Sequence, residues 1–126
     1  MIWLAAIALQ TWHPTPCTDR APGGEARCAR RDFITAEQAM VREFDRALYR
    51  VRHCQPVNST YCYNTTRALN LMRIEQRSWV ALRNAHCDGF AFPVEGTSAE
   101  SVIRDVCKTK MTVERTNDIK KIGRSE

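Results

Sequence analysis

Hydrophobic and polar positions recur with a helical period over most of the chain, most clearly from Leu69 to Cys87, LNLMRIEQRSWVALRNAHC. This run holds no Gly or Pro and is rich in Leu, Ala, Arg, Gln and Met, so helix propensity favours it throughout. Projected at about 100° per residue, Leu69, Met72, Gln76, Trp79, Val80, Arg83 and Cys87 share one arc. Leu71, Ile74, Ala81, Leu82 and Ala85 fall on the far side. A helix apolar on two faces is expected to be sandwiched between neighbours. Gln76 and Arg83 interrupt the first stripe. A buried guanidinium is costly unless several acceptors surround it, so either Arg83 has a built-in set of partners or this face is an open site. The scaffold reading is preferred, because a ligand site would show more convergent polar groups; Trp79 beside them reads as core.

Upstream, Thr35-Ala-Glu-Gln38 fits a capping box and opens a helix expected to run to about Arg52. Met40, Phe44, Ala47, Leu48 and Val51 form its apolar stripe, and Glu43, Asp45, Arg46, Arg50 and Arg52 read as a solvated face. Residues 13–31, with three Pro and two Gly, read as a loop. In residues 53–64, Pro56 ends the first helix and Asn58-Ser59 favours a turn. Asn58-Ser59-Thr60 and Asn64-Thr65-Thr66 match the glycosylation sequon, a short and common pattern. Asp88-Gly89 is a stop signal for the central helix. Phe90 to Gly96 then reads as an apolar loop whose two Phe either tuck into the core or protrude as a hydrophobic contact. Thr97-Ser-Ala-Glu100 is a second capping box, opening a last helix from about Ala99 to Lys121. Val102, Val106 and Val113 mark one of its faces; Cys107, Met111, Arg115, Ile119 and Ile122 form a wider stripe. No strand pattern and no repeat is visible. The expectation is an all-α fold, a three-helix antiparallel bundle over residues 13–122, with residues 123–126 as a frayed tail.

Six cysteines in 126 residues suggest disulfides and an oxidising compartment. Cys17 and Cys28 bracket the first Pro/Gly loop, and Cys54 and Cys62 flank the first corner. Cys107 could reach back to Cys87 across the second corner. The expected pairing is therefore Cys17–Cys28, Cys54–Cys62 and Cys87–Cys107, one of the fifteen that six cysteines allow. Residues 1–12, containing IWLAAIAL, resemble the apolar part of a secretory signal without its cationic start. They are too short to span a membrane, and no later run approaches that length. A periplasmic or secreted location follows.

The balance of 19 Lys and Arg against 14 Asp and Glu gives a net charge of +5, with the signs interspersed. Without a clustered basic face and stacking aromatics, nucleic acid is not an expected partner. No CxxC is present and His13, His53 and His86 are scattered, so neither a metal site nor a redox motif is expected. No Ser or Cys is set against a base, there is no Gly-rich phosphate loop, and Glu43 and Asp45 do not share a helical face. The expectation is a protein that is not an enzyme and needs no cofactor.

Gln76-x-x-Trp79-x-x-x-Arg83-x-x-x-Cys87, then Gly96-Thr97-Ser98, then Cys107 and Thr112-x-x-Arg115-x-x-x-Ile119 resemble the lysozyme inhibitor LprI-like family of bacterial envelope proteins. Cys17, Cys28 and Ala39 through Tyr49 echo the upstream part of that family, so the resemblance covers about residues 17–122. It implies a small secreted or periplasmic helical domain with disulfides that inhibits lysozyme by binding. It implies scaffold roles for Gln76, Trp79, Arg83 and Arg115 and no catalytic residues. Cys54 and Cys62 are an addition to the usual four cysteines. Animal lysozymes are mostly cationic, so a cationic inhibitor gains no electrostatic steering and needs a local acidic or apolar patch. Phe90, Phe92 and Glu95 are the candidates: two apolar anchors and a carboxylate for a cationic cleft of lysozyme or another cell-wall hydrolase. The alternative is an envelope or host-directed protein that binds anionic glycans or lipids through its cationic surface.

Overall fold

The first helix begins well before the Thr35 capping box, and its start is organised by Asp19. The computed structural model describes residues 17–54 and 60–124. In it the Asp19 carboxylate accepts from the Ala21 amide at 3.1 Å and from Arg27 at 2.6 and 3.0 Å. The chain then turns at Gly23, whose φ of 79° suits a residue without a Cβ, and α1 runs from Gly24 to Arg52. A Cβ on Gly24 would meet the Asp19 carbonyl oxygen at 2.1 Å, so the tight approach requires glycine there too. The Cys17–Cys28 pair, with Cα atoms 5.7 Å apart, ties the preceding strip of chain to the first turns of the helix. Half of the expected loop is therefore helix, and Thr35 is an exposed mid-helix residue that caps nothing. Ala29, Phe33 and Ala36 extend the buried stripe of Met40, Ala47 and Val51 backward in steps of three and four.

The second helix, α2, spans Thr65–Ala91, opened by Asn64, whose side chain accepts from the Arg67 amide at 3.0 Å. Asp88-Gly89 does not stop it. Gly89 has open space around it and no demand for a positive φ, and Ala91 beyond it is fully buried. A 3₁₀ turn, Phe92–Val94, follows with Pro93 inside it, and α3 spans Ala99–Ile119. Another 3₁₀ turn, Thr60–Tyr63, precedes α2. Among the described residues there is no strand, and no helix is long and apolar enough to cross a membrane. The signal-like residues 1–12, Pro56, the Asn58 sequon and the last two residues of the tail lie outside the described residues.

Cross-links between side chains give the topology. Glu37 of α1 meets Arg83 of α2, and Met40 meets Gln76, so these helices are antiparallel. Cys87 pairs with Cys107 and Gln76 with Arg115, so α2 and α3 are antiparallel. Arg30 lies 3.8 Å from Asp105, and Arg50 donates to carbonyls at the end of α3, so α1 and α3 run parallel. All three expected cysteine pairs lie at disulfide distance, with Cα separations of 5.7, 5.2 and 5.6 Å. The fold is the three-helix bundle expected from the periodicity. Met40, Ala47, Val51, Met72 and Ile119 form its core, with Phe44, Leu48, Leu69, Trp79 and Val80 packed around them. Burial of a side chain such as Met40 or Ile119 contributes about 1.5–3 kcal/mol.

Two expectations about faces are corrected. The far stripe of α2 is not sandwiched: Leu71, Ile74 and Leu82 are 50%, 51% and 62% exposed. With only two other helices, and those packed most closely on each other, α2 has neighbours on one side alone. The buried stripe of α3 is Asp105, Thr109, Thr112, Thr116 and Ile119, whereas Val106 is exposed. Threonine can be buried there because Thr109 and Thr116 donate to the carbonyls of Asp105 and Thr112, at 2.9 and 2.7 Å. Arg50 also departs from the expected solvated face. Its guanidinium donates to the carbonyls of Ile122, Ile119 and Lys120 at 3.0–3.4 Å, capping α3 from another helix.

Candidate functional site

The residues singled out in the sequence fall in two places, one inside the bundle and one at its α2–α3 corner. Inside, Arg83 is 2% exposed. It donates to the Glu37 carboxylate on α1, to Thr112 Oγ1 on α3 at 3.1 Å and to Asn84 Oδ1 at 3.1 Å. Its guanidinium carbon lies 5.0 Å from the ring centre of Phe33 and 5.4 Å from that of Trp79. One cation thus touches all three helices. Arg115 lies on the other side of Trp79, 5.7 Å from the ring centre, donating to Gln76 Oε1 at 3.0 Å and pairing with Glu75 at 2.9 Å. Gln76 in turn points its amide at Met40 Sδ, 3.4 Å away. Gln76, Trp79, Arg83 and Arg115 therefore form one connected internal array.

Sequence reasoning missed Glu37 and Thr112 as partners of Arg83. Glu37 had a signal: it interrupts the stripe of Phe33, Ala36 and Met40, as Arg83 interrupts its own. Thr112 stood in the motif Thr112-x-x-Arg115-x-x-x-Ile119, but its pairing with Arg83 is visible only once α3 lies against α2.

The corner is built on the Cys87–Cys107 pair, of which Cys87 is fully buried, and on buried Ala91. Beyond Ala91 the chain turns through Phe92–Val94 and leaves helical geometry at Glu95; Gly96 takes φ 79°. The expected capping box is used one residue out of register. Thr97 Oγ1 donates to the Val94 carbonyl at 2.7 Å and accepts from the Ala99 amide at 3.3 Å, while Glu100 Oε2 accepts from the Gly96 amide at 3.0 Å. Glu100 also pairs with Arg104, which reaches Asp88 at 2.9 Å. A groove of about 700 Å³ results, lined by Asp88, Phe92, Glu95, Glu100, Arg104 and Lys108.

Phe90 and Phe92 stay outside the core, 63% and 68% exposed, and Glu95 is exposed beside them with no ion pair. Both rings sit one residue either side of buried Ala91, so burying Ala91 holds them in water. The corner thus sets Phe92 beside three carboxylates and two cations, with Phe90 exposed two residues before it. Among the described residues no three His, Cys, Asp or Glu side chains are placed to hold a metal ion.

The Gly96 amide, and after it the Arg104 guanidinium, hold the Glu100 carboxyl below the usual carboxylate range. A carboxyl depressed in the folded state contributes stability that is present above its unfolded pKa of about 4.3. That contribution fades as pH falls through the lower folded value. Urea midpoints measured across this window are expected to fall less steeply in Glu100→Gln than in the parent chain. Parallel pH profiles would contradict the assignment.

Compared with known proteins, the chain matches the model of the family described as Lysozyme inhibitor LprI over residues 17–119, which takes in all six cysteines and all three helices. No curated protein and no solved structure matches it.

Proposed function

This chain belongs to the lysozyme inhibitor LprI family, and from that premise we propose that it is a periplasmic or secreted protein that inhibits a lysozyme-type cell-wall hydrolase by binding. The α2–α3 corner is the occluding surface. Phe90 and Phe92 enter the hydrolase cleft as apolar anchors, and Glu95 supplies a charge for its cationic rim. The observation that carries this reading is the exposure of two phenylalanines beside an unpaired carboxylate on a corner locked by Cys87–Cys107. Large exposed aromatics of this kind, seated on a rigid frame, are the usual anchors of a protein interface. Three cysteine pairs at disulfide distance suit an oxidising compartment. The mechanism is steric and needs no chemistry from this chain.

The test is residual lysis of bacterial cell walls by lysozyme as the protein is added. Inhibition is expected, and it should weaken at least about tenfold in Phe90→Ala/Phe92→Ala/Glu95→Ala, since loss of each anchor typically costs over 1 kcal/mol. The helical circular dichroism should be unchanged, because none of the three is buried. Full lysis at micromolar excess of the protein would defeat the reading. Inhibition undiminished in the triple variant would move the surface elsewhere.

A further inference from the structure

We propose that the end of the bundle opposite the α2–α3 corner docks on an anionic lipid bilayer. The parallel run of α1 and α3 brings their C-termini together, as the Arg50 bonds to Ile119 and Ile122 show. Charge gathers there. Residues 43–54, 60–67 and 118–124 carry Arg46, Arg50 and Arg52 on α1, Arg67 at the start of α2, and Lys120, Lys121 and Arg124 after α3. Among the described residues of these segments Glu43, Asp45 and Asp118 oppose the seven cations, an excess of four. The other end, residues 17–36 and 86–108, has six cations against seven carboxylates. The signs that look interspersed along the sequence are therefore sorted by the fold into a cationic end and a near-neutral one.

Helix dipoles do not account for the excess. Two C-termini and one N-terminus at this end sum to about half a negative charge, a small fraction of four positive ones. Within the cluster, burial and then the Arg124 charge lower the Arg50 pKa, against an opposing pull from Glu43. Solubility would be served by an even spread of charge; concentration on one end adds attraction to a negatively charged plane. Two tyrosines favour a bilayer as that plane. Tyr63 is 95% exposed, and Tyr49 is 54% exposed and stacked on His53 at 3.9 Å. Tyrosine rings sit favourably at the headgroup level, with the apolar body inward and the hydroxyl wet. Docked this way, the Phe90–Phe92 corner points away from the membrane. The docking does not depend on the inhibitory reading, and either can fail alone.

The experiment is co-sedimentation with vesicles of phosphatidylcholine, with and without about one-third phosphatidylglycerol. Binding is expected only with the anionic lipid and should decline as salt rises, because the attraction extends about 8 Å at physiological ionic strength. Each basic residue near such a surface is worth roughly a fivefold change in partitioning. Arg52→Glu/Lys120→Glu/Arg124→Glu should therefore lose at least about 100-fold. Arg20→Glu/Arg77→Glu/Lys110→Glu, with the same change in net charge elsewhere, should lose far less. Should the first variant fold poorly, Lys120→Gln/Lys121→Gln on the exposed end should still lose roughly 25-fold. Equal losses in the two triple variants would overturn the proposal, as would no binding to anionic vesicles. Tight binding to soluble polyphosphate with none to vesicles would replace the bilayer with an anionic polymer.

Discussion

Replacing Arg83 with Ala is expected to lower the free energy of unfolding by about 3–5 kcal/mol, the range for breaking a buried ion pair from one side. The size follows from what the guanidinium touches. Glu37 loses its cation, Thr112 Oγ1 loses its donor in a site with 0% exposure, and the rings of Phe33 and Trp79 lose the group that fills the space beside them. Glu37 is one-third exposed and regains some hydration, which keeps the loss toward the lower end. Arg83→Lys separates charge from geometry. It keeps a cation near Glu37 but has no planar fork to reach Thr112 and Asn84 together, so an intermediate loss is expected. Urea denaturation of the three chains, read by circular dichroism, measures this. A loss under about 1 kcal/mol for Arg83→Ala would mean that the arginine does not hold the helices together.

Removing the Cys87–Cys107 link with Cys87→Ser/Cys107→Ser is expected to destabilise the chain by about 3 kcal/mol, from closure of a loop with a sequence separation of 20 residues. Cys87 is fully buried, so an unmatched serine hydroxyl adds to the loss and Cys87→Ala/Cys107→Ala should lie closer to the loop-closure figure. The corner carrying Phe90 and Phe92 rests directly on this pair. The same variant should therefore weaken lysozyme inhibition even where it remains folded. Equal thermal midpoints for the parent and the Ala double variant would contradict the first expectation. Unchanged inhibition would separate the corner from its staple.

Periodicity made three helices legible, and their stripes place Met40, Ala47, Val51 and Met72 in the core as read. Helix ends were less legible, for specific reasons. Thr35 and Gln38 have the composition of a cap, but Gly23, Asp19 and the Cys17–Cys28 tie open the helix eleven residues earlier. Asp88-Gly89 has the composition of a stop, but the buried Ala91 just beyond it keeps the helix going. In each case the turns beyond the expected boundary carry buried residues, Ala29 and Phe33 in the first and Ala91 in the second, and their burial outweighs the composition of a cap or a stop.

By itself the sequence determined the helical class, an expected cysteine pairing across each loop, and the demand that Arg83 be either partnered or open to water, because periodicity, loop spacing and the cost of a buried charge are properties of the chain. Which groups answer Arg83 was decided only when the helices docked: Glu37 and Thr112 lie 46 and 29 residues away and meet it across two interfaces. The same docking left one face of α2 and both corner phenylalanines in water and gathered cations at one end. Three helices offer α2 neighbours on one side only, and a parallel α1 and α3 must end together.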